Sequence, residues 1–277
     1  MTWTRSEVQY GILQKICLHA IKYGPIPKHV AFIMDGNRRF ADGKMLKKSD
    51  GHLHGFTKLS ETLQWCRDIG IEEVSIFTFS IDNFNRSHEE VSFLMNLAEE
   101  KLQELLDNKD ELKADDICIR VIGNLALLPA KVQSLAAQLM LVTRNHSNDI
   151  TRELLSKCLY TRLSKPLDLL IRTSGEIRLS DFLTWQVSEN DTIYKFINNY
   201  WPEFSWWDFL SSIIHYQMSY LQLSPLINFK RMNNHDNNGL VLNMVHSKEY
   251  EAHKQRINSF LNYLDQTFWQ NMNILAT

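Results

Sequence analysis

HVAFIMDGNRRFA, residues 29–41, changes character once and abruptly. Val30 to Met34 is a short apolar run that stops on Asp35-Gly36-Asn37, and Arg38 and Arg39 follow at once. An apolar run bounded by a turn signal predicts a buried strand. A carboxylate just past such a strand sits where open α/β sheets bind ligands. Gly36 lets the backbone approach a ligand closely, and two guanidinium forks suit phosphate. The stretch offers a metal-binding acid beside a phosphate cradle, and an α/β fold.

Outward from it, strands and helices alternate. Asp42–Asp50 reads as a polar, lysine-rich loop, Gly51–Asp68 as a helix closed by Gly70, and Val74–Phe79 as a second strand. A polar cluster, Ser80 to Arg86, follows that strand. Ser87 and Glu90 form a capping-box pattern that opens a long helix reaching Lys109, with Phe93, Leu94, Leu97, Leu102, Leu105 and Leu106 on its apolar face. Ile117–Ile122 predicts a third strand and Pro129–Val142 a helix. The alternation then breaks: a turn at Asn145–Asn148 leads straight into another helix, Thr151–Leu159. Asp168–Ile171 is the next strand, Ser180 a cap for a helix over Asp181–Val187, and Ser205 a cap for a last core helix to Tyr220. This partitions the chain into an N-terminal amphipathic helix (1–27), the α/β domain (28–227), an asparagine-rich linker (228–246) and a helical tail (247–277).

The 277 residues are 44% hydrophobic and 22% charged, enough for one sizeable core. A net charge of −2 gives no case for nucleic-acid binding, so any phosphate site is local. Cys17, Cys66, Cys118 and Cys158 form no CxxC pair, which points to reduced thiols rather than a disulfide framework or zinc. No run reaches the ~18 apolar residues of a spanning helix. Arg5, Glu7, Lys15 and Lys22 interrupt any signal-peptide core. Ile12, Leu13, Ile16, Cys17, Ala20 and Ile21 form a helical stripe, ended by Pro25 and Pro27, with Trp3 and Tyr10 nearby. That stripe lies either on a membrane surface or against its own domain.

Three polar clusters follow three strands, and together they hold Arg38, Arg39, Arg86, Arg172 and Arg178. Parallel strands bring their C-terminal ends to one edge, so the clusters converge on a site for more than one phosphate group. His52 and His54 diverge by about 200° on a helix, which makes a metal pair unfavourable and a single phosphate donor the better reading. Asn37 stands where aspartyl phosphatases carry a second Asp. There is no P-loop, and Asp115-Asp116 runs into Ile-Cys-Ile rather than a DDxxD motif.

The segments HVAFIMDGNRRFA, GHLHGF, FTFSIDNFNRS, CIRVIGNLALLP, DLLIRTSGEIRLSDFLTWQ and YWPEF, within residues 3–222, closely resemble the cis-prenyltransferase family of undecaprenyl diphosphate synthases, nearest in pattern to its eukaryotic dehydrodolichyl diphosphate synthase branch. The resemblance implies a largely parallel central sheet flanked by helices. It implies repeated Z addition of isopentenyl diphosphate to an allylic, farnesyl-type diphosphate, giving long-chain polyprenyl diphosphate for dolichol synthesis and protein glycosylation. Mg²⁺ is the implied cofactor. Asp35 and Asn37 would be catalytic, with Asp35 and Asp191 on the metal. Gly36, Asn37, Arg38, Arg39, His52 and Arg86 would cradle the allylic diphosphate, in a substrate-binding set that includes Phe40, Lys48, Ser80, Asp82 and Phe84. Arg172, Arg178 and Ser180 would bind isopentenyl diphosphate. The apolar face of Ser87–Lys109 would line a tunnel for the product, unless it is plain core. The family completes its site across a dimer with an Arg-x-Gly motif. The last residues, Asn-Ile-Leu-Ala-Thr, carry none, so a partner subunit resembling the Nogo-B receptor is expected, at the cytosolic face of the endoplasmic reticulum membrane.

Three departures from the family pattern stand out. Lys48 takes the place of an arginine and Asp82 that of a glutamate. A strand and a helix, on the order of 30–35 residues, are expected between Asn148 and Asp149 and are missing. The alternative to an active enzyme is a non-catalytic or unstable subunit that keeps partner binding.

Overall fold

The computed structural model describes residues 8–143, 161, 164–189, 191–223, 259, 263 and 266–276. β1 (His29–Ile33) is buried at every position, as an unbroken apolar run must be when both faces of a parallel sheet are covered. It pairs on one side with β2 (Glu73–Phe77) and on the other with β3 (Leu169–Arg172), which in turn pairs with β4 (Ile193–Phe196). All pairings are parallel, in the order β2-β1-β3-β4, so the expected α/β sheet is present. The described helices are α1 (Ile12–Ile21), α2 (Asn37–Gly43), α3 (Lys48–Ile69), α4 (His88–Asp107), α5 (Lys109–Ala114), α6 (Ala130–Val142), α7 (Thr184–Glu189), α8 over 206–223 and α9 over 266–276. None is long and apolar enough to cross a membrane.

The period-two geometry of a strand sorts side chains between two cores. Val30, Phe32, Leu169 and Ile171 join Leu59, Trp65, Trp201, Phe204, Phe209 and Ile213 on one face. Ala31, Ile33 and Leu170 meet Leu167 and Val187 on the other, where Phe182 and Leu183 pack against them. The α1 stripe divides: Ile21 enters the first core with Cys17 and Leu18 packed against it, while Ile12, Leu13 and Ile16 are exposed.

Contacts divide the chain into two compact units, and the division falls inside α4. The described parts of one are 8–93 and 165–223, with the whole sheet; those of the other are chiefly 94–143 and 266–276. In the latter, α9 packs on α6 rather than standing apart as a tail. Met272, Phe268 and Trp269 join Leu125, Ala137 and Met140, and the Gln138 amide donates to the Ala276 carbonyl at 3.1 Å.

Elsewhere the structure departs from the sequence expectation for local reasons. Asp42–Asp50, expected as a polar loop, is shortened at both ends, because a helix covers Asn37–Gly43 and the next starts at Lys48. Ile117–Ile122 forms no strand among the described residues. A strand needs partners for its backbone groups; here Ile119 N–H donates to Thr143 Oγ1 at 3.1 Å and Val121 N–H to Met140 Sδ at 3.3 Å. Ser180 does not cap a helix at Asp181. Both take positive φ, 50° and 60°, and α7 starts only at Thr184. β4 was not expected at all, because it is a four-residue edge strand interrupted by Lys195. The turn at Asn145–Asn148, the helix over Thr151–Leu159, the Asn148–Asp149 junction, Cys158 and the asparagine-rich linker lie outside the described residues.

Two glycines of α3 let α2 sit against it. A Cβ on Gly51 would lie 2.3 Å from the Asn37 carbonyl oxygen, and one on Gly55 would lie 2.3 Å from Asn37 Oδ1. Trp201 locks the same corner: its indole N–H donates to the Gly55 carbonyl at 2.7 Å and its backbone N–H to the Asp35 carbonyl at 2.9 Å. Gly55→Ala is expected to destabilise the fold by about 1–3 kcal/mol through overpacking. Gly43→Ala, whose Cβ would meet nothing within 4 Å, is the matched control. Equal thermal midpoints for the two variants would show that α2 is not held by this contact.

Candidate active site

Asp35 lies just beyond β1, and its backbone is fixed before its carboxylate is used. Its N–H donates to Thr173 Oγ1 at 3.1 Å, and the same hydroxyl donates back to the Asp35 carbonyl at 2.9 Å. Gly36 turns the chain into α2 at φ 96°, and a Cβ there would lie 2.6 Å from the Tyr200 ring. A side chain at that position is excluded both by backbone conformation and by space. The Asp35 carboxylate accepts from Gly36 N–H at 2.7 Å and from Arg172 Nη2 at 2.9 Å, and Arg39 Nη2 lies 3.4 Å away. Burial opposes its ionisation, but Arg172, the Gly36 N–H and Arg39 outweigh burial and hold it below the usual carboxylate range.

Arg172 ends β3 with only 3% of its surface exposed. Besides Asp35, it donates to Ser180 Oγ at 2.9 Å and to the Arg178 carbonyl. Ser174 and Gly175, at φ 81° and 72°, fold the intervening loop back on itself. Their N–H groups donate to the Asn199 and Ile197 carbonyls at 2.8 Å each. Glu176 then bridges Arg178 and, at 3.5 Å, Arg39, whose guanidinium lies 5.5 Å from the Tyr200 ring centroid.

A second carboxylate organises the other cations. Glu90 Oε1 lies 3.0 Å from Arg86 Nη1, 3.2 Å from His52 Nε2 and 3.9 Å from Arg38 Nε. Its backbone N–H donates to Ser87 Oγ at 3.3 Å, so Ser87 caps it as the third residue of the helix. Burial opposes Glu90's charge, but His52, Arg86 and Arg38 outweigh it and lower its pKa. For His52, burial is the largest effect and wins over Glu90's attraction, so its pKa falls. Burial beside Arg38 likewise lowers that of Arg86.

Thus Asp35, Arg39, Arg172, Arg178 and Ser180 are joined by direct contacts, and Arg38, His52 and Arg86 by Glu90. His54 turns away as expected, donating to the Asp50 carbonyl at 2.7 Å and resting against Phe40. Asn37 anchors its amide on the Met34 carbonyl at 3.3 Å. Ser80, Asp82 and Phe84 belong to the 3-10 helix Ile81–Asn85 and its cap, and Phe84 meets Phe79 edge-on. Lys48 opens α3.

Asp191 does not join Asp35. It precedes β4, whose first N–H, on Ile193, bonds the Asp168 carbonyl before β3, so it sits at the opposite end of the strands. Among the described residues no three acidic, His or Cys side chains gather as a metal site. Asp35 alone still fits a Mg²⁺ type of site, which takes one or two carboxylates and fills its remaining positions from substrate phosphates and water. Glu90 and Glu176 were missed as site residues. Their signal was present, an acid four residues after Arg86 and two before Arg178, but it reads equally well as a helix cap and a solvated pair.

The family model for undecaprenyl diphosphate synthase matches residues 33–151 and 136–223, and the chain belongs to this cis-prenyltransferase family. It is 40% identical to the dehydrodolichyl diphosphate synthase complex subunit of Homo sapiens, over 79% of this chain and 75% of that one. It is 36% identical to the corresponding complex subunit of Schizosaccharomyces pombe, over 79% and 93%. The tritrans,polycis-undecaprenyl-diphosphate synthase (geranylgeranyl-diphosphate specific) of Pyrococcus abyssi is 36% identical, over 75% and 90%. Among solved structures, lavandulyl diphosphate synthase from Lavandula x intermedia, in complex with dimethylallyl diphosphate, superposes with a TM-score of 0.61 at 26% identity, covering 69% of this chain and 95% of that one.

The shifts in the site have one sign with respect to stability. His52 titrates below its ordinary 6.5, so the unfolded chain takes up its proton first and stability falls as pH drops below 6.5. Glu90 and Asp35 titrate below 4.5 and 3.8, so their contribution is full above those values and is lost as pH falls through the folded pKa. The thermal midpoint is therefore expected to decline in two stages on acidification. His52→Gln should remove the upper stage and leave the lower one. An unaltered upper stage in that variant would assign it to another group.

Proposed function

We propose that this chain transfers isopentenyl units from isopentenyl diphosphate to an allylic diphosphate with Z geometry, as the catalytic subunit of a dolichol-forming complex. The observation that carries this reading is the cationic ring at the C-terminal edge of the sheet. Among the described residues, the five arginines Arg38, Arg39, Arg86, Arg172 and Arg178 pair with Asp35, Glu90 and Glu176. With His52 neutral, that leaves a surplus of positive charge suited to diphosphates.

Gly36, Arg38, Arg39, His52 and Arg86 would take the allylic diphosphate. Phe40, Lys48, Ser80, Asp82 and Phe84 would border it, and Arg172, Arg178 and Ser180 would take isopentenyl diphosphate. Asp35, ionised and central, would hold Mg²⁺ against a substrate diphosphate. When bound, Mg²⁺ supplies Lewis-acid neutralisation of the departing pyrophosphate. Bringing two diphosphates together costs Coulomb repulsion, which the arginines offset on both sides of Asp35. Asn37, whose Oδ1 is buried without a hydrogen-bond partner, would help place the proton lost after condensation. The apolar face of α4 would receive the growing chain.

The relatives named as complex subunits support a partner subunit; one of the Nogo-B-receptor-like kind would complete the site. Exposed Ile12, Leu13 and Ile16 on α1 support a peripheral contact with the endoplasmic reticulum membrane.

A second reading, a subunit without activity, also has a specific observation behind it. The alignment to the Homo sapiens relative runs over 254 residues, whereas 79% of this 277-residue chain is about 219, so about 35 positions have no counterpart here, the size of a strand-helix unit. The family model matches in two overlapping pieces that meet within 136–151, around the Asn148–Asp149 junction.

The deciding assay uses the full chain with and without its partner subunit, labelled isopentenyl diphosphate, farnesyl diphosphate and Mg²⁺. Polyprenyl diphosphate is expected with the partner, and chelation should stop it. Asp35→Asn, which keeps an acceptor for buried Arg172 but not the charge, should lower the thermal midpoint yet lower turnover by about 100-fold or more at temperatures where the variant is still folded. Pyrophosphate binding without product in either condition would establish the inactive subunit instead.

A further inference from the structure

Glu90 has no role in the reaction described above, yet it touches three of the groups assigned to the allylic diphosphate. Its side chain is only 5% exposed, while that of Arg38 is 48% exposed. The carboxylate therefore lies beneath the cations and not in the path of an anion arriving from solvent. All three contacts fall on one oxygen, Oε1.

We propose that Glu90 is a positioning residue for the allylic diphosphate pocket: from the first turn of α4 it holds Arg38 and Arg86 of two other segments, and His52 of α3, converged before substrate enters. The inference rests on the reading of this pocket as a diphosphate site. Arg38 and Arg86 repel each other, and Arg38 is long, exposed and free to swing into water. A buried anion between them removes that freedom in advance, so the ligand does not have to order the pocket itself. The effect is confined to one substrate, because Arg172, Arg178 and Ser180 are held by Asp35 and Glu176 instead.

The test compares Glu90→Gln and Glu90→Asp with the parent chain in complex with its partner, measuring KM for each substrate, and separately measures inorganic pyrophosphate binding by calorimetry. Glu90→Gln keeps an acceptor for His52 but loses the charge. It should raise the allylic KM and the pyrophosphate Kd by about tenfold or more while leaving the isopentenyl diphosphate KM within about twofold. Glu90→Asp should recover part of the loss. Ser87→Ala, which removes the α4 cap, should lower the thermal midpoint without this split. Equal rises in both KM values, or pyrophosphate binding by Glu90→Gln that is unchanged or tighter, would overturn the role of Glu90 alone. Failure of the parent chain to bind pyrophosphate would overturn the diphosphate site and this inference with it.

Discussion

The contact on which the site turns is Arg172 to Asp35. A guanidinium that loses almost all of its hydration must be answered by anions and acceptors, or it would not be buried charged. Arg172 is answered three times, by Asp35 Oδ2, Ser180 Oγ and the Arg178 carbonyl. Two of those groups lie on the loop after β3 and one lies after β1. A single side chain therefore ties the ends of adjacent strands, which parallel register has already brought level, since Ile33 pairs with Arg172. Removing either partner would leave an uncompensated charge in the interior, so neighbouring features serve to keep this pair in place. The left-handed turn at Ser174-Gly175, the Thr173 hydroxyl on Asp35 and the Trp201 N–H on the Asp35 carbonyl all do so.

From that pin the rest of the cationic ring follows an electrostatic constraint. Arginines cannot be gathered on one sheet edge without anions to separate them. The chain meets this with carboxylates placed between pairs: Asp35 between Arg172 and Arg39, Glu176 between Arg39 and Arg178, Glu90 between Arg38 and Arg86. Consecutive Arg38 and Arg39 are sent to different carboxylates. That division separates the cations into two groups, which in the proposed reaction would each take one diphosphate.

Much of this was legible in the sequence because it is set by local grammar. An apolar run ending on Asp-Gly-Asn is a strand with a loop after it, and three such runs define a shared edge. What escaped was what depends on tertiary partners. Whether Asn37–Gly43 coils into a helix is decided by Gly51 and Gly55 on another element. Ile117–Ile122 has the composition of a strand but satisfies its donors on Thr143 and Met140. Asp191 came from the family resemblance in a weakly matching stretch, and the pairing of β4 puts it at the other end of the strands from Asp35. Glu90 looked like the second half of a capping box; its N–H does bond Ser87 Oγ, but its carboxylate goes to Arg38, His52 and Arg86.

The interruption in the family pattern bears differently on the parts of the chain. It falls within 136–151, whereas every strand of the sheet and every residue of the cationic ring comes from 8–93 and 165–223. β1 pairs directly with β3, and β3 with β4, so the edge that carries Asp35 and Arg172 is assembled from these strands. In the proposed reaction, diphosphate recognition and chain elongation would rest on separable stretches of sequence. The first would use the contacts described; the second would draw on the apolar face of α4. Under the proposal of an inactive subunit, the cost would fall on the hydrocarbon side of the reaction. Such a chain would bind diphosphate at the Asp35 edge and fail to elongate.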